Sequence, residues 1–281
     1  MLKSHQADRI ALTSIILQVI TMNPWIYPKW QPLLLQQGLG SFDQIWEFEA
    51  EFVESPNVGR GGHSGVALVE LVGEDGGIER LYLKRQANHL THGLGPLQRF
   101  PTARREFKNL MALRGQGFSV PDVIFFGERR VGRDWQAILL TRELYGKISL
   151  WDLLQQNEGD ARAKWEFRRG LITQVADLVR RLHDLGYRHG ALYPKHLFVN
   201  CDKPGDAISL IDLEKMRKTP FRRRAQLMDL DALNRRTTWF SRTDRLRYLC
   251  RYLSAEANAP IVRQWWRALT RRALARQNKS S

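Results

Sequence analysis

The stretch Tyr187–Asn200, Y-R-H-G-A-L-Y-P-K-H-L-F-V-N, followed by Ile211-Asp212-Leu213-Glu214, constrains this chain more than any other feature. Before it, Ala161–Leu185 carries Leu171, Val175, Leu178, Val179 and Leu182 on one stripe and an Arg/Lys-rich opposite face, which predicts a long amphipathic helix. Gly186 stops that helix. Leu197–Asn200 then predicts a short strand and Ile208–Ile211 a second. A loop bearing His189 and His196 is therefore caught between a helix end and a hairpin, and Asp212 is delivered where a strand ends.

The rest of the chain supplies a matching frame. Asn57–Gly65 is a glycine-dense turn, Val66–Val72 is strand-like, Asp75-Gly76-Gly77 signals a hairpin, and Arg80–Arg85 reads as the return strand. Thr102–Leu113 predicts a helix with Phe107, Leu110 and Leu113 on its apolar stripe, stopped by Gly115 and Gly117. Val120–Gly127 and Trp135–Thr141 predict two more strands, Thr141–Gly146 a linker, and Ser149 the cap of a helix containing Leu150, Leu153 and Leu154. After Asp212 come a basic segment, Arg217–Arg224, one or two helices over Asp229–Tyr252 with a break near Thr237–Ser241, and a last helix, Pro260–Ala275. This order predicts an α+β, two-lobed, protein-kinase-like fold: a small β-rich N-lobe with one main helix over 51–145, and a mainly helical C-lobe over 146–281. Residues 1–50 read as a helical or irregular extension anchored by Trp25, Trp30 and Trp46. Within it the apolar run Ile10–Met22 is interrupted by Thr13, Ser14, Gln18 and Thr21, has no small-x-small cleavage site, and is too short for a bilayer span, so it predicts a peripheral helix.

A phosphotransferase of the kinase class must hold nucleotide phosphates and a metal, neutralise developing charge and orient an acceptor hydroxyl. Gly59, Gly61, Gly62 and Gly65 would let backbone N–H groups approach phosphates, although Arg60 interrupts the glycine spacing. Lys84 ends the return strand and would pair with the phosphates, braced by Glu106, 22 residues on, in the intervening helix. Glu143, in the linker, joins this nucleotide-binding set. Asp212 would bind Mg²⁺, its triplet reading Asp-Leu-Glu. His196 falls seven residues after His189, where such a loop carries its second metal ligand, so it is a candidate for metal or phosphate contact.

Tyr-Pro-Lys-His-Leu-Phe at 193–198, Ile-Asp-Leu-Glu-Lys at 211–215, Arg-Glu-Phe at 105–107 and the stretch from Asp231 to Leu249 resemble the lipopolysaccharide core kinases of the InaA/WaaP type, relatives of the Kdo kinases. The resemblance covers residues 30–255. It implies transfer of the γ-phosphate of ATP, with Mg²⁺, to a sugar of the lipopolysaccharide inner core, typically a heptose, at the cytoplasmic face of the membrane. It also exposes a departure. Active members carry an Asp after the loop His as base, and here Ala191 stands in its place. Alanine takes no proton, and losing a general base costs about 10²–10⁴ in rate. His189 is the candidate substitute. The alternative reading is a catalytically impaired, pseudokinase-type scaffold or sensor in the same pathway.

Charge narrows the partners. A net charge of +15 at pH 7 points to a polyanion. Arg217, Lys218, Arg222, Arg223 and Arg224, just past Asp212, form a candidate acceptor-side surface, and Trp265, Trp266, Arg267, Arg271 and Arg272 on the last helix suit an anionic headgroup layer. Nucleic-acid binding would use the same charge, but no RNA-binding signature accompanies it, so no specific nucleic acid is expected. Cys201 and Cys250 without a C-x-x-C support neither a disulfide framework nor a zinc cluster and suit a reducing compartment. The expected location is cytoplasmic, peripheral on the inner face of the membrane.

Overall fold

The computed structural model describes residues 19–21, 24–53, 55–59, 61–73, 76–93, 99–156, 161–200, 203, 206–237 and 240–280. The chain divides into two compact units, residues 1–111 with 121–143, and residues 112–120 with 144–281.

The first unit is built on an antiparallel sheet. Its strands are β1 (Val19–Thr21), β2 (Trp25–Ile26), β3 (Asn57–Gly59), β4 (Gly62–Val72), β5 (Ile78–Ala87), β8 (Val123–Val131) and β9 (Asp134–Arg142), with β6 (Leu90–His92) and β7 (Arg99–Pro101) forming a separate ribbon. The order is β1-β8-β9-β5-β4-β3, with β2 also pairing to β8. The expected hairpin is β4–β5, in register from His63 opposite Ala87 to Val72 opposite Ile78. Alternation on β5 sends Leu81 and Leu83 into a core with Leu34, Phe42, Ile45, Ile124, Phe125, Ile138 and Leu140. The short helices α1 (Gln31–Gln36) and α2 (Phe42–Glu47) supply the first three, so residues 30–45 share this core. Trp30 is buried in it and Trp46 packs on its edge, while Trp25 meets the ring of Phe107. Of the predicted N-terminal helix over Ile10–Met22, residues 10–18 and Met22 lie outside the described residues, and the part that is described, Val19–Thr21, is a strand. An apolar run without helical period can complete a sheet edge as readily as a helix face. The main helix of this unit begins α3 (Thr102–Gly115).

The second unit is mainly helical: α4 (Leu150–Gln156), α5 (Ala161–Asp184), α6 (Arg222–Arg235), α7 (Arg242–Leu253) and α8 (Pro260–Ser280). The break predicted near Thr237–Ser241 separates α6 from α7, where Ser241 and Asp244 cap each other's ends reciprocally. Short strands β10 (Lys147–Ser149), β12 (Leu197–Asn200) and β13 (Ser209–Leu210) form one small sheet, and β11 (Tyr187–Arg188) pairs with β14 (Arg217–Lys218). The basic segment after Asp212 is thus a strand followed by the first turn of α6. Among the described residues no helix is long and apolar enough to cross a membrane.

Candidate functional site

In the first unit, one face of β5 organises the predicted phosphate side. Lys84 and Gln86 point the same way because strand side chains alternate. The Gln86 carboxamide accepts from the Ala103 backbone N–H at 2.9 Å and donates to the Thr102 hydroxyl at 2.8 Å, pinning the start of α3. Glu106 lies one turn further along α3, on the same side as Ala103. Its carboxylate therefore meets the Lys84 ammonium, at 2.7 Å, with the two side chains 15% and 11% exposed. Glu143 follows β9 and donates its backbone N–H to the Arg80 carbonyl, while its side chain hydrogen-bonds the Tyr82 phenol. Burial and then the Glu143 charge push that phenol above its ordinary value.

The glycines divide. Arg60 lies outside the described residues, but Gly61 beside it takes φ +84 at the β3–β4 turn, with open space where a Cβ would stand. A Cβ on Gly62 would lie 2.0 Å from the Ala87 carbonyl oxygen, and one on Gly65 would lie 2.3 Å from the Phe52 ring. Those two positions are glycine for packing. Gly59 and Gly61 remain as residues that could admit a phosphate.

In the second unit, the loop expected to carry the chemistry is assembled on a residue that the sequence reading passed over. Asp229, on α6 and 1% exposed, accepts the His189 backbone N–H at 2.6 Å and the Gly190 N–H at 3.0 Å. His183 of α5 meets the same carboxylate at 3.3 Å through Nε2, and its Nδ1 faces the Tyr252 hydroxyl at 2.8 Å. Burial alone would raise the Asp229 carboxyl. The hydrogen bond and charge of His183, then His189 and the Gly190 N–H, outweigh it, so the carboxyl sits below its ordinary value. Gly190 has φ +81, and a Cβ there would come within 2.9 Å of the Lys215 carbonyl oxygen. The signal for Asp229 in the sequence is a carboxylate set in an otherwise apolar helical turn, Met228-Asp229-Leu230.

His189 is fully buried. Its Nδ1 accepts the Ala191 N–H at 3.3 Å, its Nε2 is sealed from solvent, and the Ile211 backbone lies beside the ring. Burial depresses its pKa to about 4, against the opposing charges of Asp229 and Asp212. This corrects its expected role: a neutral imidazole with no exposed nitrogen is a brace for the loop and does not suit a base toward an acceptor.

Asp212 follows β13 in the left-handed region, φ 55 and ψ 57, which an Asp tolerates and most residues avoid. The preceding residue, Ile211, donates its N–H to the His196 carbonyl at 3.1 Å. His196 Nδ1 lies 2.8 Å from the Ala191 carbonyl and 3.4 Å from the Asp212 carboxylate. Since a carbonyl can only accept, that nitrogen carries the proton, which leaves Nε2 as the ring nitrogen able to meet a metal or a phosphate. Through Nδ1, His196 also steadies Asp212. Burial lowers its pKa, with the Asp212 charge opposing, so the ring is neutral at neutral pH. Ala191 is itself 1% exposed.

Arg217, Lys218, Arg222, Arg223 and Arg224 are exposed, as is Phe221 at 72%. Trp265 is buried against Tyr252, and Trp266 lines a cavity of about 230 Å³ among α4 to α8 that contains none of the predicted site residues. Trp265 is therefore a core residue and Trp266 is half-buried beneath Arg242, leaving the exposed arginines of this helix to any headgroup.

A model of the lipopolysaccharide kinase (Kdo/WaaP) family matches residues 43–271. Over 178 residues the chain is 33% identical to Protein InaA of Escherichia coli (strain K12), spanning 63% of this chain and 79% of that relative. The solved structure of WaaP in complex with acyl carrier protein superposes with a TM-score of 0.64 over 90% of this chain and 99% of that one; at 22% identity the likeness shows the fold.

Proposed function

The chain belongs to the lipopolysaccharide kinase (Kdo/WaaP) family, and from that premise we propose that it transfers the γ-phosphate of ATP to a sugar hydroxyl, a heptose, of the lipopolysaccharide inner core. The observation that carries the reading is the Lys84–Glu106 pair: a strand lysine held at 2.7 Å by a helix carboxylate that the Gln86 amide has placed. Such a lysine is oriented for the α- and β-phosphates of a nucleotide.

The donors fit the cofactors. Gly61, with open space at its Cβ position, and Lys84 suit phosphate oxygens, and Asp212, its side chain 28% exposed, offers hard carboxylate oxygens of the kind Mg²⁺ takes together with substrate phosphates. Bound there, the metal supplies charge neutralisation. The chain's own residues do the rest: Glu106 orients Lys84, His196 orients Asp212, and Asp229 holds the backbone at His189 and Gly190. Neither the Ala191 methyl nor the sealed His189 can accept the acceptor proton. Transfer in this protein therefore rests on positioning and charge, which dominate phosphoryl transfer in general. The exposed cations at 217–224 and the protruding Phe221 suit docking against anionic headgroups, with the acceptor glycolipid approaching from that surface.

The test is phosphate transfer from labelled ATP and Mg²⁺ to dephosphorylated core oligosaccharide. Wild type should label the acceptor, and Asp212→Ala should lower the rate by about 10²-fold or more. If wild type transfers nothing while Ala191→Asp does, the chain is a non-catalytic member of its family.

A further inference from the structure

Beside Asp212 the second unit displays cations that neither the fold nor the reaction has used. The last turn of α6 is tied down by Arg245, which donates to the Asn234 side chain and to the backbone carbonyls of Thr237, at 3.0 Å, and Phe240, at 3.2 Å. This presents Arg235 and Arg236 side by side. Both are exposed, and neither has a carboxylate partner among the described residues. Their guanidinium carbons stand 5.7 and 5.5 Å from the centre of the Tyr193 ring, and Arg235 donates to the Tyr193 hydroxyl at 3.2 Å. Tyr193 also packs against His196, 5.5 Å between ring centres, and His196 is 3.4 Å from Asp212. Every step from Asp212 to the arginine pair is thus under 6 Å. Lys195 and Lys215 are exposed in the same neighbourhood and both act on the His196 charge.

We propose that Arg235 and Arg236, linked to Asp212 through the Tyr193 and His196 rings, bind an anionic substituent, carboxylate or phosphate, carried by the acceptor sugar. The inference rests on the acceptor being a core sugar and names what fixes its position. Guanidinium is suited to this: its planar fork matches a carboxylate or phosphate, and stacking on an aromatic face holds it in place before the ligand arrives. Two such groups with no internal carboxylate lose little protein contact when an anion binds. Neither arginine is paired with Asp212, and the contacts that link them run through both Tyr193 and His196, so the anion they hold differs from the phosphate under transfer. The pair therefore selects the acceptor and leaves the nucleotide alone.

The experiment measures binding, so it reads out whether or not transfer occurs. Deacylated inner-core oligosaccharide is titrated calorimetrically against the full chain in three forms: native, carboxyl-reduced, and dephosphorylated. Wild type should prefer the native form over one of the charge-depleted forms by about tenfold, and which form loses affinity identifies the anion. Arg235→Gln with Arg236→Gln should bind the native form about tenfold more weakly and should no longer distinguish the forms. Arg235→Lys with Arg236→Lys should fall between, because charge is kept and the fork is lost. A non-hydrolysable ATP analogue should bind wild type and both variants alike. Equal binding of all three forms by wild type, no saturable binding of the native form, or a parallel loss of nucleotide affinity in the Gln variant would each overturn the proposal. Failure of phosphate transfer with these affinities intact would count against the kinase reading alone.

Discussion

Lys84 and Asp229 are both held by charge, one in each unit, yet they are held in different ways. Lys84 meets the Glu106 carboxylate side chain to side chain. Asp229 receives two consecutive backbone N–H groups as well as His183, with Arg188 at 3.7 Å. The first arrangement aims a functional group. The second is the conformation of a loop, written in backbone geometry and fixed by a residue 40 positions downstream. The chemistry of the first unit should therefore be separable from its stability, and that of the second should not.

Asp229→Ala is the hardest test of that contrast. It leaves the buried His189 donor and the part-buried Gly190 donor unpaired, and takes the partner from His183 Nε2, at a cost of about 3–5 kcal/mol. Glu106→Gln, which keeps shape and an acceptor for Lys84, should cost about 1 kcal/mol. Urea unfolding of both variants decides it; equal losses would erase the distinction.

Acid should act on the second unit next. His189 is neutral when folded, with a pKa of about 4, whereas the unfolded chain protonates it at about 6.5. Between those values the unfolded state binds more protons, so stability falls as pH falls, by up to about 3 kcal/mol once pH is below 4. Asp229 adds to this: its lowered carboxyl contributes stability above the ordinary carboxylate value that is lost as pH drops through the folded one. Urea midpoints taken from pH 7.5 down to 4 should decline, and His189→Gln should flatten the portion between 6.5 and 4. A wild-type profile already flat over that interval would contradict a buried neutral imidazole.

The same contrast explains what could be read before the fold was known. Lys84 and Glu106 were legible because strand and helix periods state which residues share a face, and the Gln86–Ala103 contact enforces the pattern those periods imply. Asp212 was legible as the polar residue ending an apolar strand. Asp229 was not, since a carboxylate on a helix reads as solvated face until the loop that buries it is in view. Gly62 and Gly65 misled for a related reason. Composition suggested a phosphate cradle, whereas Ala87 and Phe52, neighbours only in space, decide what those positions require. His189 was marked by its residue type and re-assigned by its burial. Arg235 and Arg236 were hidden in a chain with many arginines, and only the Tyr193 ring singles them out.

The smallest effect separates backbone from side chain at a single residue. Asp212 holds φ 55, a conformation that costs an ordinary L-residue about 1–2 kcal/mol and glycine almost nothing. Asp212→Ala and Asp212→Gly delete the same carboxylate, so phosphate transfer should fall equally in both. Their stabilities should differ: the glycine variant relieves the left-handed turn, loses part of that gain to the greater freedom of its unfolded chain, and should exceed the alanine variant by about 1 kcal/mol. Paired urea titrations resolve a difference of that size. Equal stabilities would mean that residue 212 leaves the left-handed region once its carboxylate is gone. The His196 contact, and not the backbone path from β13, would then be what holds Asp212 in place.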